Sequence, residues 1–359
     1  MSNKIKILFF VPQLVGGGAE KVSINIMRIL EKNRFEVHLV VINGEGPALR
    51  YLSEDIILHD LEVSKTMFSV FKLRKLIFEI RPDILFSSLI RGNIAVSLAI
   101  IGLKNKPFII FRSPNSPKLL LKHNQMKFFQ KYLLEYAYKK ADLVLAQTPE
   151  MKAEIIKYHG ITKDKITVFL NPIDTDTIDK QIKNIKNPFE SKNINVVAAG
   201  RITYQKGFDL LIKSFKNVVE ENPLFRLYII GEDDGCELEN LQKIVKELKL
   251  TEYIYFLGYK KNAYKYFYFS DLYVLSSRWE GLPNTVLENL YLHKPIVSTR
   301  CIPFMDTLIK EGENGFLVDV GDINSLSNAI LNYKNLMFNF SNSNNIKENV
   351  NNFFNNIRM

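Results

Sequence analysis

Cysteine is nearly absent from this chain: two occur in 359 residues, Cys236 and Cys301, and neither sits in a CxxC. That excludes a disulfide framework and a cysteine-based zinc site. Histidine is sparse too, and the five residues His38, His59, His123, His159 and His293 lack metal-ligand spacing. No apolar run reaches the roughly 18 residues that a membrane-spanning helix needs. The apolar stretch to Val11 is too short for a signal peptide, and Pro12 to Gly18 reads as a turn instead of a cleavage site. A first buried strand of a cytoplasmic protein is expected there.

Hydrophobic residues make up 47% and charged residues 24%, which excludes disorder over most of the chain. The net charge is +10. It is concentrated within 104–140, which holds nine basic residues and one acid, Glu135. A local excess of this kind marks an interaction face.

Short apolar runs alternate with segments of helical period. Strands are expected at Ile5–Val11, Val37–Ile42, Ile84–Ser87, Phe108–Arg112, Leu143–Gln147 and Ile166–Leu170. A second series follows at Val196–Gly200, Arg226–Gly231, Tyr255–Gly258, Leu272–Ser276, Ile296–Thr299 and Gly315–Val318. Helices such as Glu20–Glu31, Phe208–Glu221 and Leu238–Leu248 lie between them. This βαβ rhythm, run twice, predicts an α/β protein of two Rossmann-like doubly wound domains facing across a cleft. The boundaries expected are 1–172, a linker at 173–194, 195–337, and a tail at 338–359. Nine asparagines in that last segment predict a loosely held tail.

Ligands in such folds bind at the carboxyl ends of strands. The segment Ser276 to Glu288 follows a strand, passes Gly281-Leu282-Pro283 and enters a helix about two turns before Glu288. Free amides from Gly281 through Asn284 and Thr285 to Val286 suit an anion, and Glu280 and Glu288 suit sugar hydroxyls. The plainer alternative makes Glu280 a cap and Glu288 part of a solvated face. In Gly200-Arg201-Ile202-Thr203-Tyr204-Gln205-Lys206-Gly207, two cations beside a helix start fit a diphosphate. The alternative is a pair of ordinary surface cations. Gly16-Gly17-Gly18 allows close backbone approach to a ligand, or a tight turn. Its spacing is not the dinucleotide GxGxxG, and the second strand closes at Val41-Ile42-Asn43-Gly44 without an acid, which disfavours a nicotinamide enzyme.

Together these segments resemble family 4 of the retaining glycosyltransferases, whose fold is GT-B. The likeness runs from Gly16–Glu20 to Asn314-Gly315-Phe316-Leu317-Val318. It implies transfer of a hexosyl or N-acetylhexosaminyl group from a nucleotide diphosphate sugar, with UDP the expected nucleotide. Arg201 and Lys206 match the diphosphate pair. Glu288 is implied at the donor ribose, Glu280 at the donor sugar, and Gly17, Gly18, Gly200 and the Gly281–Thr285 run around the donor. No cofactor or metal is implied. Three departures stand out: a histidine common after an N-domain strand is missing, Gly231-Glu232-Asp233-Asp234-Gly235 replaces a more usual Gly-x-Gly-Pro, and Arg300 replaces an acid after a central strand. The loops holding Arg91 and Asn93, and Arg112 and Asn115, resemble members that build surface polysaccharides, such as O-antigen or capsule, on lipid carriers. Those four residues are the acceptor-side candidates.

Asp174-Thr175-Asp176 imitates a metal-binding DxD, but its place after Asn171-Pro172 gives it turn and capping roles. Within 117–140, lysines interleave with Phe, Leu and Tyr, as in a helix lying on anionic lipid. A core helix with a solvated lysine face is the alternative, and no nucleic-acid recognition motif accompanies the stretch. A peripheral enzyme on the inner face of the membrane, taking a lipid-linked saccharide as acceptor, is the reading. Its rivals are a non-enzymatic basic protein that binds lipid or nucleic acid, and a nucleotide-sugar epimerase of the same fold.

Overall fold

Strands that are apolar on both faces must be covered on both faces, and parallel sheets under helices provide that. The computed structural model describes residues 4–122, 128–233, 235, 237–336 and 346–357. In the first half, β1 (Ile5–Phe10), β2 (Phe35–Val41), β3 (Ile57–Asp60), β4 (Ile84–Ser87), β5 (Phe108–Arg112), β6 (Leu143–Ala146) and β7 (Ile166–Val168) form one sheet in the order β3-β2-β1-β4-β5-β6-β7. In the second half, β8 (Ile194–Ala199), β9 (Phe225–Ile230), β10 (Ile254–Gly258), β11 (Leu272–Leu275), β12 (Ile296–Thr299) and β13 (Gly315–Val318) form another, ordered β10-β9-β8-β11-β12-β13. Every paired neighbour is parallel. Each sheet is thus doubly wound, with its strand order reversing between β1 and β4, and between β8 and β11. The edge strand β3 has no counterpart among the expected strands.

Helical period supplies the covering layers. Helix Phe208–Glu221 buries Phe208, Leu211, Ile212, Phe215, Val218 and Val219, a stripe at spacings of three and four. The apolar side of that helix meets Val196, Ala198 and Leu227 of its sheet in one core. Among the described residues no helix is long and apolar enough to cross a membrane.

The chain falls into two units. One holds the residues up to Asp174 together with helix Ile346–Asn355, and the other begins at Thr175. Two expectations need correction here. The polar stretch 173–194 reads as a linker, yet it carries helix Thr175–Ile182 with Ile178 fully buried. Asn262 Nδ2 donates to the Gln181 carbonyl at 2.8 Å, which ties that helix to the second unit. Asp174 is buried and pairs with Arg28 at 2.9 Å, so the first acid of the DxD imitation is spent on an ion pair.

The second correction concerns the asparagine-rich tail. Residues 338–345 lie outside the described residues, but Ile346–Asn355 is a helix of the first unit. Val350 and Phe354 are buried in its core, with the Phe354 ring 6.5 Å from Phe35 and 6.4 Å from Phe86. Asn351 accepts from the Glu31 amide at 3.1 Å and donates to the Ile29 carbonyl at 3.2 Å, closing the exposed end of helix Gly18–Ile29.

The basic stretch 104–140 is not one surface. Arg112 is buried, Lys118 and Lys122 are exposed, and Lys104, Lys106 and Lys140 border a separate basin. Lys127 lies outside the described residues. Helix Phe128–Lys140 buries Leu134, Ala137 and Tyr138 while Phe129 and Tyr132 stay exposed. One of its faces is therefore core.

His159 closes helix Pro149–His159 and is buried, with the Tyr138 ring edge-on at 5.3 Å. Burial pushes its pKa down to about 4, opposed by Glu135 and helped by Lys131. As pH falls below about 6.5 the unfolded chain takes the proton first, so stability present at neutral pH is lost. Between pH 7.5 and pH 5 the expected loss is about 2 kcal/mol. His159→Phe should flatten that slope in urea titrations at the two pH values, and an unchanged slope contradicts the assignment.

Candidate active site

The reversal between β8 and β11 sends one crossover to each side of the sheet and leaves their loops adjacent. The β8 loop runs Gly200–Gly207 and the β11 loop runs Ser276–Pro283. They are joined at several points. The Arg278 amide donates to the Gln205 carbonyl (2.7 Å), Gln205 Nε2 to the Trp279 carbonyl (2.9 Å), and Ser276 Oγ to the Lys206 carbonyl (2.9 Å). Arg278 makes a two-pronged bond to Asp209, 2.8 Å on each prong, and its guanidinium lies 3.8 Å over the Tyr204 ring. Hydrogen bonding to Asp209 holds the Arg278 pKa up. Burial alone would raise the Asp209 carboxyl; the Arg278 bonds and charge outweigh it and lower it.

Within this frame Lys206 Nζ lies 2.6 Å from Glu280 Oε1, which also accepts from Ser277 Oγ at 2.7 Å. The lysine reaches there by crossing Gly200. At φ +154°, Gly200 is where a Cβ would meet Lys206 Cε at 2.7 Å, so glycine is needed for the crossing. Gly207, at φ +62°, comes so close to the β11 loop that a Cβ would stand 2.2 Å from the Ser276 carbonyl. Arg201, next to Gly200, is exposed. The sequence-predicted pair Arg201 and Lys206 thus shares a loop, and Lys206 is already committed to Glu280.

Pro283 precedes helix Asn284–Tyr291 in extended conformation, with Gly281, Leu282 and Pro283 buried. Glu288 is one turn into the helix, not two. It is 1% exposed, on the inner face, and Tyr264 Oη donates to it at 3.3 Å. It therefore does not sit on a solvated face. Half-buried Thr285 accepts from Tyr273 Oη at 2.7 Å. Burial and the nearby Glu280 and Glu288 charges keep the Tyr273 phenol protonated. Cys301 is buried by β12, and burial with the Glu280 charge raises its thiol pKa, so it is inert. Asp209 and Tyr264 are the site's supporting residues that the motifs miss. An acid two residues after Gly207, in the first helical turn, is the signal for the former.

In the first unit the glycine loop satisfies itself. The amides of Gly16 and Gly17 donate to Glu20 Oε2 at 2.7 and 3.0 Å, and Gly18 begins helix Gly18–Ile29. Two of the acceptor-side candidates also point inward. Asn93 is fully buried and donates to the Arg112 carbonyl at 3.2 Å. Arg112 is 1% exposed, donates to Asn171 Oδ1, and has its pKa lowered to about 9 by burial. Arg91 is exposed and Asn115 half-buried. Among the described residues no group of three or more His, Cys, Asp or Glu is arranged to hold a metal ion.

The profile described as Glycosyltransferase Family 4 matches residues 16–177, and that described as Glycosyl transferases group 1 matches 179–352. The chain belongs to glycosyltransferase family 4. Among the similar proteins, an uncharacterised glycosyltransferase of Methanocaldococcus jannaschii is 36% identical over 66% of this transferase and 60% of its own length. The 4-alpha-N-acetylgalactosaminyltransferase of Campylobacter jejuni that acts on N-acetylgalactosamine-N,N'-diacetylbacillosaminyl-diphospho-undecaprenol is 28% identical over 89% of this transferase and 88% of its own. The crystal structure of Anabaena HepE with UDP-glucose superposes with a TM-score of 0.76 at 18% identity, covering 97% of this chain and 94% of that one. The two units of the transferase are therefore the two Rossmann-like halves of the GT-B fold.

Proposed function

We propose that this transferase moves a hexosyl or N-acetylhexosaminyl group from a UDP-sugar to a lipid-linked saccharide, with retained anomeric configuration, in surface polysaccharide or glycan synthesis. The observation that carries the reading is the Lys206–Glu280 pair, 2.6 Å apart, at the point where the second sheet reverses. It is supported by the undecaprenol-linked acceptor of the Campylobacter relative and by the UDP-glucose in HepE.

In this reading the donor binds the second unit. Glu288 takes the ribose hydroxyls, and the amides of helix Asn284–Tyr291 face the phosphates. Arg201 and Lys206 stabilise negative charge on the departing diphosphate. Glu280 touches the sugar and holds Lys206 in place. The acceptor hydroxyl attacks on the leaving-group face. The bond to the diphosphate oxygen breaks, the bond to the acceptor oxygen forms, and the acceptor proton goes to the donor phosphate. No enzymic nucleophile is required.

A thermal-shift panel tests the donor class, because a ligand of the native state raises its apparent stability. At 100 times its Kd, UDP should add about 2.7 kcal/mol and raise the melting temperature by several degrees. A panel in which UDP and UDP-sugars shift nothing while another nucleotide does overturns the UDP assignment. NMR of the product reads the anomeric configuration and separates transfer from epimerisation.

A further inference from the structure

The first unit carries an exposed aromatic stripe that the transferase reading leaves unused. Helix Ser69–Ile80 buries Leu73 and Ile77 against its sheet. Its other face shows Phe71, 83% exposed, and Phe78, 68% exposed, seven residues apart and so on one line. The turn Thr66–Phe68 just before the helix adds exposed Met67 and Phe68. Four exposed bulky apolar side chains between Met67 and Phe78 are many for an idle surface.

Charge decides what covers them. At the end of the helix lies a basin of about 980 Å³ lined by Arg74, Arg81, Lys104, Lys106 and Lys140. Its two acids, Asp83 and Asp142, are each occupied by a backbone amide, of Lys6 at 2.7 Å and Ile109 at 2.8 Å. Arg74 is held by the Ala99 carbonyl at 2.9 Å, leaving Arg81, Lys104, Lys106 and Lys140 as the basin's outward cations. The helix's one acid, Glu79, pairs with Lys75 at 3.7 Å. A row of phenylalanines beside a cationic basin matches an acyl boundary beside a layer of phosphates.

We propose that helix Ser69–Ile80 and its flanking basin form the surface by which this protein docks on an anionic phospholipid bilayer, Phe71 and Phe78 entering the interface and the basin taking lipid phosphates. This rests on the proposed function only for the bilayer as workplace: the basin borders the amino ends of β4, β5 and β6, so the surface anchors the protein and is not itself the acceptor site. It differs from a face built on Lys118, Lys122 and Lys131, which lie on other helices.

The test is co-sedimentation of the full chain with vesicles of phosphatidylglycerol and phosphatidylcholine, and of phosphatidylcholine alone. Binding is expected only with the anionic lipid. Phe71→Ser with Phe78→Ser should weaken it about 30-fold. Lys104→Gln with Lys106→Gln should weaken it about 10-fold at low salt and little at high salt. The same change at Lys118, Lys122 and Lys131 should matter less. Phe71, Phe78, Lys104, Lys106, Lys118 and Lys122 are exposed and Lys131 is half-buried, so melting temperature is followed for each variant, and transfer to a short water-soluble acceptor should be unchanged. A phenylalanine variant that sediments like the parent overturns the proposal. So does inorganic phosphate competing while the phenylalanines make no difference, since the basin then takes free anions. A dimer that the phenylalanine variant dissociates, with no vesicle binding by the parent, assigns the stripe to a second copy and also overturns it. A parent that binds vesicles yet transfers no sugar refutes the functional reading and leaves this surface standing.

Discussion

Lys206→Ala is expected to lower turnover by about 10²-fold or more, the scale of removing one charge partner from a transition state. The lysine is preset: its Nζ is fixed 2.6 Å from Glu280, and its stem crosses Gly200. In the proposed donor complex, charge developing on the diphosphate would meet a cation that need not reorganise. Arg201→Ala should fall on the same scale, although the side chain starts exposed and must settle on the donor. Removing Lys206 leaves Glu280 with Ser277 as its close donor, so melting temperature must be followed with turnover. Near-parental turnover in both folded variants sinks the diphosphate assignment.

Glu288→Ala should weaken UDP binding about 10-fold or more, the scale of hydrogen bonds to a charged group. Glu280→Ala should chiefly lower the rate of the chemical step. The two carboxylates differ in setting. Glu288 is one turn into helix Asn284–Tyr291, with Tyr264 donating to it at 3.3 Å. Glu280 is in the loop, shared by Lys206 and Ser277. Calorimetry with UDP and single-turnover kinetics read the two quantities separately. Equal, unchanged UDP affinity in both variants contradicts the division of labour.

The alternation of apolar runs and helical stripes was enough to read twelve of the strands, because a buried parallel strand advertises itself by continuous hydrophobicity. The edge strand β3 hid for the opposite reason. Ile57 and Leu58 are exposed, and His59 and Asp60 give the segment no apolar face. Helix Ile346–Asn355 hid behind its composition: Val350 and Phe354 keep a four-residue spacing, but the asparagines around them mask it. At the site, strand ends and glycines marked the two loops correctly as neighbours of helix starts. What no spacing reveals is that Lys206 pairs with Glu280, or that Asn93 and Arg112 turn inward, since these depend on which strands become adjacent.

The helix that returns to the first unit carries a consequence for synthesis. Residues up to Asp174 leave the ribosome first, yet their core lacks Val350 and Phe354 until about 180 more residues have been made. At roughly 5–20 residues per second that gap lasts on the order of ten seconds or more. During it the amide of Glu31 and the carbonyl of Ile29 lack Asn351, and Phe35 and Phe86 lack a cover. The unit whose strands emerge first is therefore the one that matures last, and a nascent chain stalled within the second sheet presents an unfinished apolar seam to chaperones.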